Sequence, residues 1–226
     1  MNLFVVAHSF DNGVMNQMLY DLPIRTFLDE LAGSEPAPGG GATAALNGAQ
    51  GAALVSMVCN LTIGRAKYAE IEGEMKNVLV RSEQLRAQLT DLIHQDSTAF
   101  DGVMAAYRMP KTTPEEKATR SDSIQEGLKQ ATYVPLRTLE ACVAVLKLTP
   151  TVISKGNFNA ASDAGAGMLA AHAGMMTAAL NVRINLNAIK DEPFVAESVA
   201  LMKELIVQGD AARQDAWLIA SERLGM

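Results

Sequence analysis

LRAQLTDLIHQDSTAFDGVMAAY, residues 85–107, decides the fold. Its apolar residues recur at steps of three and four: Leu85, Leu89, Leu92/Ile93, Phe100, Val103 and Tyr107. That is the period of a helix with one buried face. The seam runs back through Val78, Met75 and Ile71, and Glu70, Glu72, Lys76, Arg81 and Glu83 lie off it. The spacing predicts one long helix over 68–107. One seam position carries the wrong chemistry for a core: Asp96 stands where the period calls for an apolar residue. Burying a lone carboxylate is costly, so Asp96 must be paired, hydrogen-bonded or protonated. A low dielectric raises its pKa, which suits a group that takes and gives a proton near neutral pH. The alternative is a buried aspartate hydrogen-bonded to a neighbouring helix.

Outward from this helix, the chain reads as more helices. Leu22 to Leu31 places Phe27, Leu28 and Leu31 on one side and stops at Gly33. Residues 1–21 have no clear period and are expected to be a tail before a single domain over 22–226. The segment EPAPGGG, residues 35–41, is predicted as a loop because prolines and glycines break helices. From 42 to about 63, Ala45, Gly48/Ala49, Ala52, Ser56 and Cys59 repeat at helical steps. Small residues so spaced allow close approach, which predicts a central buried helix. Residues 109–114 (MPKTTP) break the chain again, with Thr113 as N-cap, Pro114 at the first helical position and Glu115 and Glu116 in the first turn. That helix is expected to bend near Pro135 and end at Pro150 after about Leu148. Helices over 159–189 and 193–224 follow. No β-hairpin signal stands out, so the class is all-α, a bundle of long helices.

Composition narrows the function. The 226 residues carry 19 Lys plus Arg against 25 Asp plus Glu, a net charge of −6, with 49% apolar, 19% charged and 5% aromatic residues. Low charge implies extra buried surface, expected as an oligomer interface. An acidic chain with few aromatics is a poor nucleic-acid binder. Two cysteines, Cys59 and Cys142, cannot build a disulfide framework or a four-cysteine zinc site. His8, His94 and His172 have no close His or Cys partner in sequence, so no metal is expected. No apolar run reaches the roughly 18 residues of a membrane span, and Leu3–Ala7 is too short for a signal-peptide core. A cytoplasmic protein is expected.

The helix after Asn157 has two faces of interest. Ala161, Gly165, Met168, His172, Met175, Ala179, Val182 and Leu186 read as core, with His172 a satisfied core histidine. Asp163, Gly167, Ala170, Gly174, Thr177, Asn181 and Asn185 form a small, polar face. It either lines a pocket for a polar heterocycle or makes a polar helix–helix contact across a subunit interface. Gly39, Gly40 and Gly41 open onto a helix N-terminus, where free N–H groups favour an anion, yet neither a phosphate-loop nor a dinucleotide fingerprint is present. Lys67, Lys111 and Arg120 are further candidates for anionic groups, with a solvated surface charge as the alternative for each.

Taken in order, Pro36–Gly41, Leu61–Arg65 with Tyr68, Asp96–Asp101, Met109–Lys117 with Arg120, Val134–Leu136, Gly156-Asn157 with Ser162-Asp163, and Asn181–Leu186 with Asp191 resemble the formimidoyltetrahydrofolate cyclodeaminase family. The resemblance covers Leu22 to the C-terminus. It implies an all-α fold, a tight homodimer, a tetrahydrofolate derivative as substrate and no metal or redox cofactor. The family's proton donor and acceptor falls on Asp96. Gly39, Gly40, Gly41, Lys111, Asn157, Asp163, Asn181 and Asn185 would then lie around the folate, with Arg120 a further candidate for its anionic groups. The implied reaction is closure of 5-formimidoyltetrahydrofolate to 5,10-methenyltetrahydrofolate with loss of ammonia. The rival is the sister reaction, hydrolysis of 5,10-methenyltetrahydrofolate to 10-formyltetrahydrofolate. A non-catalytic folate-binding or scaffold dimer is the alternative from another class.

Overall fold

The computed structural model describes residues 18–226. It is all-α, with six helices: α1 Ile24–Leu31, α2 Gly40–Thr62, α3 Glu72–Arg108, α4 Pro114–Lys155, α5 Ala161–Leu186 and α6 Glu192–Leu224. Single 3-10 segments at Leu19–Asp21, Ala66–Ile71 and Phe158–Ala160 complete it, and no strand occurs among the described residues. The expected tail falls mainly outside the described residues. Of its last part, Leu19 turns back and packs on the main core, as Leu22 does.

The centre is an antiparallel pair, α2 against α5. A Cβ on Gly174 would lie 2.7 Å from the Ala44 carbonyl oxygen, and one on Gly51 would lie 2.8 Å from the Gly167 carbonyl oxygen. The two backbones touch because these positions carry no side chain. Two residues of the small face on α5, Gly167 and Gly174, therefore meet α2 instead of leaving room for a ligand. By composition α2 is long and apolar enough to cross a membrane. Here most of it is a core helix, with Ala42, Ala44, Ala45, Ala52, Val55 and Cys59 fully enclosed.

α3 and α4 flank this pair, and α6 covers α4 and α5. Met75, Leu85, Leu89 and Leu92 of α3 meet Leu139, Leu146 and Ile153 of α4 and Met168 and Met175 of α5 in the main core. The Ser56 and Ser82 hydroxyls share a buried 2.7 Å hydrogen bond between α2 and α3. A smaller core of Val103, Ile124, Leu128, Val182, Leu186 and Ile189 joins α3, α4 and the end of α5. α3 starts at Glu72, later than the expected 68. Tyr68 has φ −116° and ψ 18° inside the preceding 3-10 segment, and its hydroxyl accepts the Phe158 N–H at 3.1 Å.

α4 begins at the expected capping box: Thr113 Oγ1 accepts the Glu116 N–H, and the Glu116 carboxylate accepts the Thr113 N–H. It does not end at Pro150 as expected, but runs on to Lys155. A proline inside a helix lacks the N–H that would reach the carbonyl four residues back. For Pro150 that carbonyl is Leu146, and the Thr149 hydroxyl donates to it at 2.7 Å. The helix continues because the orphaned acceptor is satisfied locally. Its last carbonyls, on Ile153, Ser154 and Gly156, receive the Arg223 guanidinium of α6. Thr149→Val should leave the buried Leu146 carbonyl unpaired and lower stability by about 1–2 kcal/mol. Thr90→Val, which loses an exposed bond to the Arg86 carbonyl, should stay within about 0.5 kcal/mol. Urea unfolding of both variants measures the difference.

Candidate functional site

The seam of α3 carries Asp96 onto the first turn of α2. A Cβ on Gly41 would fall 2.0 Å from Asp96 Oδ1, so the carboxylate lies in the space that a side chain at 41 would fill. The Ala42 backbone N–H donates to it. Burial is the larger influence and pushes the Asp96 carboxyl above its ordinary range, while the Ala42 N–H pulls it down. Both readings of the sequence bear on this one residue: Asp96 is bonded to a neighbouring helix, and burial raises the pKa of its carboxyl.

The expected loop over 35–41 ends sooner, at Gly39. Gly40 and Gly41 form the first turn of α2, where the Thr43 N–H and hydroxyl both donate to the Gly39 carbonyl at 3.0 Å. Glycine is tolerated in a first turn, and both positions face a close neighbour. A Cβ on Gly40 would come 3.2 Å from Asn181 Nδ2 of α5, and that amide donates to the Thr177 carbonyl at 2.8 Å. Gly39, Gly40, Gly41, Asp96 and Asn181 therefore come together where α2 begins, α3 passes and α5 nears its end.

Other expected residues are engaged elsewhere. Asn185 Nδ2 donates at 2.8 Å to the Ala131 carbonyl, the acceptor that Pro135 leaves without its helical donor. Arg120 donates from Nε and Nη2 to the Tyr107 carbonyl at 3.2 and 2.9 Å and covers the Tyr107 ring at 5.6 Å. It completes the last turn of α3. Lys111 is exposed in the link between α3 and α4, about 20 Å along α3 from Asp96. Asn157 fastens the far end of α2: its N–H donates to Thr62 Oγ1 at 2.8 Å and its Nδ2 to the Leu61 carbonyl at 2.9 Å. Asp163 is in the first turn of α5, about 27 Å along that helix from Asn181. One chain therefore does not gather Asn157 and Asp163 with Asp96.

His172 is partly exposed, a departure from the expected core histidine, and Nε2 pairs with Asp210 Oδ1 of α6 at 2.9 Å. Burial pushes the Cys59 thiol up to about 11 and the Cys142 thiol to about 12, so neither is a ready nucleophile. Among the described residues no cluster of three His, Cys, Asp or Glu side chains could hold a metal.

The sequence pattern singled out Asp96 but not its polar neighbours. Gln95 Oε1 accepts Arg137 Nη1 of α4 at 3.0 Å. His94 Nδ1 and Ser97 Oγ are buried without a hydrogen-bond partner among the described residues. Periodicity finds only a residue that breaks a seam, and these three sit beside it. Two surface grooves, of about 340 Å³ between α4 and α6 and about 480 Å³ between α2 and α3, do not include Asp96 in their linings. Asn185→Ala should expose the consequence of its bond to Ala131. A loss of about 1–2 kcal/mol in urea unfolding is expected, and an unchanged midpoint would leave the bond without weight.

Comparison with known proteins agrees with this architecture. The chain matches a family model described as formiminotransferase-cyclodeaminase over residues 23–204. It is 51% identical over 191 residues to the methenyltetrahydrofolate cyclohydrolase of Methylorubrum extorquens, covering 84% of this chain and 92% of that protein. It is 36% identical over 181 residues to the formimidoyltransferase-cyclodeaminase of Sus scrofa, covering 80% of this chain and 34% of that protein, so it spans about a third of that relative's length. The crystal structure of formiminotetrahydrofolate cyclodeaminase from Thermotoga maritima superposes with a TM-score of 0.81 at 30% identity, covering 90% of this chain and 98% of that one. Both the helical architecture and the sequence over most of its length make this chain a member of the formiminotransferase-cyclodeaminase family.

Proposed function

We propose that this protein is a folate one-carbon enzyme in which Asp96 moves protons at the carbon bridging N5 and N10 of tetrahydrofolate. The observation that carries the reading is an acid of raised pKa, half-buried where α3 packs Asp96 against Gly41 in the first turn of α2. Hydrolysis of 5,10-methenyltetrahydrofolate is the activity favoured, on the strength of the 51% identical relative of similar length. Asp96 as the carboxylate takes a proton from water as its oxygen attacks the bridging carbon. The resulting acid returns that proton to N5 as the N5–carbon bond breaks, while the hydroxyl left on the carbon gives up its own proton to solvent and becomes the formyl carbonyl of 10-formyltetrahydrofolate. The raised pKa helps the second half of this cycle, and the Ala42 N–H helps the first. The Thermotoga maritima structure favours the cyclodeaminase as a second reading. There N10 attacks the carbon of the protonated formimidoyl group (–CH=NH2+) of 5-formimidoyltetrahydrofolate, Asp96 accepts the N10 proton, and the acid hands it to the resulting amino nitrogen, which leaves as ammonia and yields the methenyl cation. Neither sequence of steps calls on a metal or redox cofactor.

We further propose that the protein works as a homodimer through the outer faces of α2 and α5. No charged residue occurs in α2, and none but the titratable His172 lies between Asp163 and Arg183 on α5. Leu169, Met176, Leu180 and Ile184 of α5 and Met57 of α2 are exposed, Leu180 by 70% and Ile184 by 65%. A continuous apolar face of this kind marks an interaction surface. A two-fold axis normal to it, near the level of residue 172, exchanges the ends of α5. The Asp163 end of one protomer would then approach the Asp96 end of the other, bringing Asn157 and Asp163 toward the folate in trans.

Two experiments test these readings. Asp96→Asn should cut turnover by ~10²–10⁴-fold while the melting temperature stays within about 4 °C. Wild-type protein should be assayed in parallel for loss of methenyltetrahydrofolate absorbance and for ammonia release from formimidoyltetrahydrofolate. Absence of both activities removes the enzyme reading, and the larger kcat/KM chooses between the two. Leu180→Glu should convert a dimer to monomer in sedimentation equilibrium; a variant that still sediments as a dimer would place the interface on another face.

A further inference from the structure

The geometry points to Gly41 as the positioning residue for Asp96: the side chain it lacks is the seat of the carboxylate. This rests on the catalytic reading of Asp96 and deepens it. A Cβ at 41 would stand 2.0 Å from Oδ1, 2.4 Å from Cγ and 2.5 Å from Oδ2. Atoms cannot share that space, so any other residue at 41 displaces the carboxylate. The backbone gives no separate reason for glycine there. Among the described glycines only Gly64 and Gly225 have positive φ, and Gly41 lies within α2, where glycine is a poorer helix former than alanine.

The other close glycines serve different neighbours. Gly48 faces Cys142 and Leu89, Gly51 faces the Gly167 backbone, and Gly209 faces Met175. Among the described glycines, Gly41 alone has a carboxylate in its Cβ position. The acid cannot move far and keep its contacts. It is short, its helix is pinned one turn earlier by the buried Leu92 and Ile93, and its bond comes from the N–H of Ala42, the residue beside Gly41. A methyl group at 41 pushes the carboxylate off that N–H. The three-glycine run therefore contains positions with separate duties. Gly40 accommodates Asn181, and Gly41 holds the acid in place.

The test is a thermal cycle joined to kinetics on the full chain. Gly41→Ala is expected to lower the melting temperature by at least ~5 °C in the wild-type background. In an Asp96→Ala background the same change should be neutral or raise it, because the clash is gone and alanine is the better helix former. Where Gly41→Ala alone fails to fold, comparison of the Asp96→Ala protein with the Asp96→Ala/Gly41→Ala protein still reads the cycle. Where it folds, kcat on methenyltetrahydrofolate or formimidoyltetrahydrofolate should fall at least ~10²-fold with KM within about threefold. Adding Gly41→Ala to Asp96→Asn should produce no further loss. Gly73→Ala, where nothing lies within 4 Å, serves as the control and should keep wild-type kinetics. Equal destabilisation by Gly41→Ala in both backgrounds, or wild-type kcat in Gly41→Ala, overturns the proposal. If wild-type protein turns over neither folate, the catalytic reading fails, and the thermal cycle still decides whether Asp96 is seated by Gly41.

Discussion

Backbone contact between α2 and α5 is the constraint on which this fold depends. Helices that meet through Leu or Phe keep their axes 8–10 Å apart. Here glycines at 51, 167 and 174 let main chain meet main chain. The gain is dispersion contact along the whole length of two helices. The cost is borne by glycine in helix interiors, which are less stable for it. Everything else is arranged around this pair. α3 and α4 supply most of the large side chains of the main core, joined by Met168 and Met175 of α5, and α6 closes the far side. The first turn of α2 and the last turns of α5 are fixed together, and the site forms at that junction.

The treatment of α4 shows how the bundle keeps such a long element intact. Two prolines, Pro135 and Pro150, sit in the interior of this 42-residue helix, and each leaves a carbonyl without a donor. Thr149 repairs one within the helix, and Asn185 repairs the other from α5. Arg223 does the same for the last turn, as Arg120 does for α3. Of these polar side chains, Asn185 and Arg120 look like candidates for a ligand when read along the sequence. In the folded chain they answer to backbone groups.

That difference explains what the sequence revealed. Apolar period and capping residues located the six helices and the all-α class, because both signals are local. The same period drew attention to Asp96 by contradiction, and its seat on α2 agrees with the expectation that it would not point into open solvent. The errors came from tertiary effects. Pro150 looked like a terminator because Thr149's bond is invisible in a string of letters. Of the two readings open for the small face of α5, pocket or helix–helix contact across subunits, Gly167 and Gly174 make a contact, with α2 of the same chain, and nothing in their spacing says which neighbour fills the gap. Asn157 and Asp163 lie at the other end of the antiparallel pair from Asp96 within one chain, a separation that motif order does not reveal.

The Ser56–Ser82 hydroxyl pair has a consequence for how this scaffold can vary. Counting from it toward the site, α2 travels fifteen residues back to Gly41 while α3 travels fourteen forward to Asp96, nearly equal lengths in opposite directions. The two contacts thus act as a vernier, with the hydroxyls at one end of the scale and the acid at the other. A single inserted or deleted residue in either interval would shift the helix by about 1.5 Å and rotate it by about 100°, turning the acid away from its cradle. A length change within either interval therefore unseats the carboxylate, whereas one in a loop outside them leaves the scale intact.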